Sequence, residues 1–182
     1  MVNEEKIKGK KSISGIFYRY TLLLVLAIMF SFTDFPYIIL LKLTIYPISF
    51  ILNLFLKTII IDDYIFINNL SIQLIPACIA VSAYLLLIIL NLTTSMSALK
   101  RLKTLVFSLA SLLIINIIRI IALIFLIIND YPNFEVIHKF LWYFLSIFFV
   151  LAIWFVTAYI FKITNIPIYS DIKKIIKLII KH

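Results

Sequence analysis

Glycine is almost absent: Gly9 and Gly15 are the only two in 182 residues, and both precede the first apolar run. Neither a glycine-rich phosphate loop nor a GxxxG helix-pairing motif can be built from such a chain. Cysteine occurs once, at Cys78, which excludes an intrachain disulfide framework and leaves a thiol that is inert, metal-bound or reactive. Histidine is limited to His138 and His182, and no carboxylate lies inside an apolar run. A zinc shell cannot close on one His and one Cys, so no metal and no other cofactor is expected. The same lack of carboxylates within spans disfavours a proton-coupled transporter, which needs ionisable relays there. The internal repeats common in transporters are missing as well.

Apolar surface is what the chain has in excess. Hydrophobic residues make up 64% of it, mean hydropathy is +1.16 and formal net charge is +9. That composition is too apolar for a soluble domain and suits one small membrane domain. Four runs, 16–33, 76–92, 104–128 and 136–161, each approach the ~20 helical residues needed to cross a hydrocarbon core. The first follows Lys6, Lys8, Lys10 and Lys11 as a signal peptide would, but no small-residue cleavage site follows "FSFTDFP", so it reads as a retained span.

Basic residues set the orientation. Lys100, Arg101 and Lys103 mark one loop as cytoplasmic, and Lys162, Lys173, Lys174, Lys177 and Lys181 mark the C-terminal segment likewise. The connections "NDYPNFEV" and "IDDY" carry only acids and read as extracytoplasmic. Positive charge interleaved with spans in this way reports topology in a plasma membrane, and no nucleic-acid partner is expected.

The segment 37–57 resembles a further span, yet Lys42, Tyr46, Ser49, Asn53 and Lys57 recur at steps of four, three, four and four. One polar stripe of that kind, interrupted by Pro47, predicts a helix lying in or re-entering the outer interface, with a fifth span as the alternative. Residues 60–75 follow with alternating Leu70, Ile72 and Leu74 and an Asn68-Asn69 turn, which predicts a short outer β-hairpin leading to Pro76. The expected architecture is an all-α polytopic membrane protein. It has a basic cytoplasmic arm over 1–15, one membrane domain over 16–161 with four spans, the interfacial helix and the hairpin, and a basic amphipathic tail over 162–182 attracted to anionic lipid.

Three residues stand out for chemistry. Arg119 sits within "IINIIRIIALIF", where an arginine costs about 2.5–3.5 kcal/mol on insertion scales and must face a partner or a wet cavity. Asn116, three residues earlier, shares its helix face. Cys78 is expected at a helix N-terminus, where unpaired amides favour a thiolate, and Ala77 and Ala80 leave room beside it. His138 opens the last run at a comparable depth; Glu135 and Asp130 are both placed to orient its ring, although solvation at the surface is the expected fate of the two acids. Each has a bland reading: a packed thiol, an arginine capping carbonyls, a headgroup-level histidine. Ser108 and Ser111, one turn apart, are expected to bond helix to helix.

A cysteine opening one span ("LIPACIA"), an NxxR within the next ("NIIRI") and a histidine opening the third ("VIHKF") resemble the archaeosortase/exosortase family over the last three spans. The resemblance implies a polytopic membrane transpeptidase acting on the extracytoplasmic side. Its partners would be membrane-anchored proteins with a C-terminal sorting signal of short motif, apolar helix and basic cluster. A membrane lipid would be the acceptor of the new C-terminus. In that scheme Cys78 is the nucleophile, His138 its base, and Arg119 stabilises the thiolate or oxyanion. The family commonly follows its cysteine with a small residue and glycine; here Ile79-Ala80 follow, and an isoleucine facing the site would narrow the approach. Depth is a second tension, since Arg119 lies ten residues before Asn129, ~15 Å of helical rise. The competing class is a non-catalytic scaffold that binds a lipid headgroup through Arg119.

Overall fold

The computed structural model describes residues 17–18, 20–30, 32–94 and 96–163, the side chains of 144 and 145 apart. The arm 1–15 and the amphipathic tail beyond 163 lie outside the described residues. The chain forms α1 (Tyr20–Phe30), α2 (Phe35–Leu52), β1 (Thr58–Ile61), β2 (Tyr64–Ile67) and β3 (Leu70–Gln73). Then come α3 (Pro76–Ile79), α4 (Val81–Thr93), α5 (Ala98–Ile128), α6 (Phe134–Phe140), a π-helical turn (Leu141–Leu145) and α7 (Ser146–Ile160).

The protein is mostly helical, and among the described residues two helices, α2 and α5, are long and apolar enough to cross a membrane. The pair Phe134–Tyr143 and Ser146–Ile160, bent by 42°, adds a third if it is one broken span. Helices α1 and α4 are apolar but shorter. Length alone therefore does not yield the four expected spans. The run 76–92 is interrupted at Ala80, which takes a left-handed backbone (φ 61°, ψ 39°), and 136–161 is interrupted by the π turn.

The expected hairpin is one strand too small. Three antiparallel strands form a meander, with β1 pairing Thr58 to Ile67 and Ile61 to Tyr64, and β2 pairing Tyr64 to Gln73 and Ile67 to Leu70. Asn68 has φ 52°, as a tight hairpin turn requires, and Asp62 has φ 54° at the equivalent point of the first turn. The missed strand is "TIII", whose unbroken apolar run lacks the period-two signal.

Helix α2 stops at Leu52 rather than at Lys57 because Asn53 turns the chain. Its Oδ1 accepts the Thr58 amide (2.9 Å), its Nδ2 donates to Ser49 Oγ (3.3 Å), and the Ser49 and Thr58 hydroxyls lie 2.8 Å apart. The polar stripe is thus divided: Lys42, Tyr46 and Lys57 are exposed, whereas Ser49 is buried against the sheet.

Two cores result. Ile45, Ile48 and Leu52 of α2 meet Ile65 and Ile67 of β2, Leu74, Ile79 and the Ile120–Ile124 stretch of α5. Below it α4, α5 and α7 form a three-helix bundle around Ala83, Tyr84, Leu87, Leu112, Val150, Ile153 and Trp154. Lipid offers little hydrophobic drive for such a bundle, so close packing and interhelical hydrogen bonds hold it. Asn91 Nδ2 donates to Ser108 Oγ (3.2 Å), joining α4 to α5, a bond of the kind worth ~0.6–2 kcal/mol. Lys100 Nζ reaches the Lys162 carbonyl (3.1 Å), which places the basic start of α5 beside the end of α7.

Candidate functional site

The site begins where β3 ends. Leu74 is 1% exposed; its amide bonds the Asp63 carbonyl (2.9 Å) and its own carbonyl accepts the Tyr37 hydroxyl (2.7 Å). Anchored there, the chain stays extended through Ile75, and Pro76 opens the single turn α3 with its fixed φ. Cys78, half-buried, is the third residue of that turn. Its amide donates to the Ile75 carbonyl (2.9 Å), so that amide is paired within the turn and not turned to the thiol. The positive group near it is Arg119.

Helix α5 supplies what the broken α3 lacks. A helix interrupted after one turn leaves carbonyls without partners. Arg119 Nη2 donates to the Cys78 carbonyl (2.8 Å), and Asn116 Nδ2 donates to the Ile79 carbonyl (3.2 Å). Their i, i+3 spacing on one face of α5 lets the two side chains hold successive residues of α3. The depth tension disappears here. Helix α5 has 31 residues, ~46 Å at 1.5 Å per residue, longer than a ~30 Å hydrocarbon core, and from its position on that helix Arg119 reaches the Cys78 carbonyl.

Ile79 does not narrow the approach. It is fully buried in the first core, whereas Ala77 and Cys78 face the neighbouring cavity.

Ser146, which sequence reasoning passed over, holds the other side of the guanidinium. Arg119 Nη1 donates to Ser146 Oγ (2.8 Å), and that hydroxyl donates to the Leu141 carbonyl across the π turn (3.3 Å). Eight α-helical steps from His138 would leave Ser146 roughly 80° off its face, at 100° per residue. The extra residue of a π turn removes about one step and brings both within ~20° of one line. Arg119 is 9% exposed, and its Nε has no partner among the described residues.

Cys78, Arg119 and His138 line one cavity of about 310 Å³, bounded otherwise largely by apolar side chains of α5, α6 and the π turn. His138 is half-buried and its ring stacks on Phe134 with centroids 5.5 Å apart. Glu135, a candidate to orient that ring, lies at the surface and accepts from Lys139 Nζ at 2.6 Å, and both are exposed. The i, i+4 spacing from glutamate to lysine is the favoured one on a helix, and it takes the carboxylate from His138. Among the described residues no three His, Cys, Asp or Glu side chains gather to hold a metal.

Chemically, this is a thiol beside a fixed cation and an imidazole in a largely apolar chamber. No protein-family model, curated protein or solved structure matches the chain.

Proposed function

We propose that this protein is a membrane cysteine transpeptidase of the archaeosortase/exosortase type, acting at the outer face of the plasma membrane. The observation that carries the reading is the single cavity shared by Cys78, Arg119 and His138, which come from three different elements. A second observation supports it. Ala80 holds the left-handed backbone that glycine adopts freely, at the position where that family carries its glycine.

In the mechanism His138 accepts the thiol proton as Cys78 Sγ bonds to the carbonyl carbon of the substrate peptide. An Arg119 N–H not spent on Cys78 or Ser146 receives the oxyanion. Collapse breaks the C–N bond, His138 passes the proton to the leaving amine, and a thioester remains. An acceptor hydroxyl or amine of a lipid then attacks the thioester, His138 removes its proton, and the Cys78 thiol is restored.

The topology that serves this chemistry has four spans: α1, α3–α4, α5 and α6–α7. Helix α2 belongs to the outer interface despite its length. The sheet runs along it, with Thr58 bonded to Ser49 at one end, while Asp62 and Asp63 share a depression with Lys42 about two turns earlier. A small sheet with an open edge and an acidic turn cannot be carried into hydrocarbon. In a Cys78→Ala background, an impermeant maleimide should label Asn68→Cys and Asn133→Cys in intact cells and spare Ser97→Cys. Reporters fused after Pro36 and after Lys57 should both read as extracytoplasmic. Outside labelling of Ser97→Cys would reverse the orientation, and opposite reporter readings would make α2 a span.

The catalytic reading is tested by trapping. A library of secreted reporters, each with a variable motif before an apolar helix and a basic cluster, is co-expressed with the protein. At least one should yield an adduct that survives acid, is released by hydroxylamine and contains Cys78. A library that is cleaved without any such adduct would remove the thioester from the mechanism.

A further inference from the structure

The sheet has two edges, and they are treated differently. β1 packs against α2, with Thr58 tied to Ser49. β3 forms the other edge, and its residues Leu70, Ser71 and Gln73 are exposed. Open edges are normally blunted by charge, proline or a covering element, because their unpaired amides recruit another strand. The sequence of β3, "LSIQ", carries neither charge nor proline.

The register shows which backbone groups are free. The Leu74 amide bonds the Asp63 carbonyl, so in the β2–β3 ladder Ile72 and Leu70 also point their amides and carbonyls at β2, opposite Ile65 and Ile67. Ser71 and Gln73 therefore point theirs outward. Ile72 and Gln73 also line the cavity that holds Cys78 and His138. The open edge leads into the chamber.

We propose that β3 is the substrate-docking strand: an extended peptide pairs with the outward amide and carbonyl of Gln73, and of Ser71 beyond it, and is thereby delivered to Cys78. This rests on the catalytic reading above and adds how the substrate is held. Strand addition takes its affinity from main-chain hydrogen bonds and its specificity from pockets for alternate side chains. The sorting motif is thus bound extended, with its apolar helix beginning only after the cleavage point.

Because Cys78 is the only cysteine, its alkylation can be followed in the intact protein without knowing the natural substrate. The probe is acetyl-tetraalanyl chloromethyl ketone. The Cys78 sulfur displaces chloride to form a thioether, and the thiol proton goes to buffer. Iodoacetamide, which has no peptide to pair, reports the intrinsic reactivity of the same thiol. Gln73→Pro deletes one outward donor and leaves the amides facing β2 in place. Gln73→Ala removes only the side chain, whose Nε2 bonds Asp63 (2.8 Å).

Relative to iodoacetamide, the peptidyl reagent should label Gln73→Pro at least about fivefold more slowly than Gln73→Ala, the scale of one lost hydrogen bond. On the unmodified protein, probes N-methylated at single amides should lose rate at every second position, following the period of a paired strand. That measurement holds even if the proline variant misfolds. Equal rates in both variants, or a uniform effect of N-methylation, would overturn strand docking while leaving the catalytic reading intact. Failure of both reagents to reach Cys78 in the unmodified protein would overturn the two together.

Discussion

Cys78→Ala abolishes cleavage of a sorting-signal reporter and its hydroxylamine-sensitive adduct, while the protein folds as before. Both halves of that expectation come from position. Cys78 is half-buried at the margin of the first core, and truncation removes one sulfur from the wall of a cavity that already exists. Large cavity penalties arise where many buried atoms are lost from a closed core, so the cost in stability stays within about 1 kcal/mol. The α3 turn survives, because its ties run through the Cys78 and Ile79 carbonyls and not through the thiol. Chemistry, by contrast, loses its nucleophile. Cys78→Ser should be nearly as inactive, since a hydroxyl needs stronger activation than a lone imidazole provides. His138→Ala should retain the adduct but slow its formation by roughly 10²–10⁴, the usual scale for a positioned base. Reporter cleavage, adduct yield and thermal unfolding in detergent, measured on the same preparations, separate these outcomes. Wild-type cleavage by Cys78→Ala would sink the enzyme and leave the headgroup-binding scaffold as the better account.

Much of this arrangement was legible in the sequence because rare residues carry it. A single thiol, an arginine within an apolar run and a histidine at a run's edge are conspicuous in a chain that is 64% hydrophobic. The Asn68-Asn69 turn was legible for a similar reason, as few residues tolerate its backbone. What stayed hidden depends on departures from regular helix. Ala80 gives no warning of a left-handed backbone, so α3 and α4 read as one span. That break turns Ile79 into the core while leaving Cys78 on the cavity. Ser146 was invisible because an α-helical count places it off the face of His138, and only the π turn restores it. For Glu135 the spacing leaves two outcomes open, the His138 ring or the surface, and Lys139 one residue further along the helix takes its carboxylate. Periodicity finds regular elements, and this site is built where regularity fails.

Arg119 variants should show the second large effect, and here catalysis and stability move together. The guanidinium spans two partners at once, with Nη2 on the Cys78 carbonyl and Nη1 on Ser146 Oγ. Arg119→Ala takes that donor from the Cys78 carbonyl in a largely apolar setting, at a cost of about 1–3 kcal/mol, while Ser146 Oγ keeps its bond to the Leu141 carbonyl. The turn bearing Cys78 then loses one of its two ties to α5, and thermal unfolding should fall measurably. Arg119→Lys is the more telling substitution. Lysine keeps the charge but offers one compact ammonium in place of a planar fork, so it cannot bridge both partners and also present a donor to the oxyanion. It should recover part of the stability and little of the activity, staying at least ~10²-fold below the parent in adduct formation, the scale of a lost oxyanion donor. Ser146→Ala removes one anchor of the fork and should slow the reaction about tenfold, with Ser146→Thr restoring it, because threonine returns the hydroxyl that receives Nη1. Should Arg119→Lys process the reporter at the parent rate, the guanidinium would be a cap for α3 and nothing more. The oxyanion would then have to be met by another donor in the cavity, and among the polar groups lining it the outward amide of Gln73 is the one the strand register leaves free.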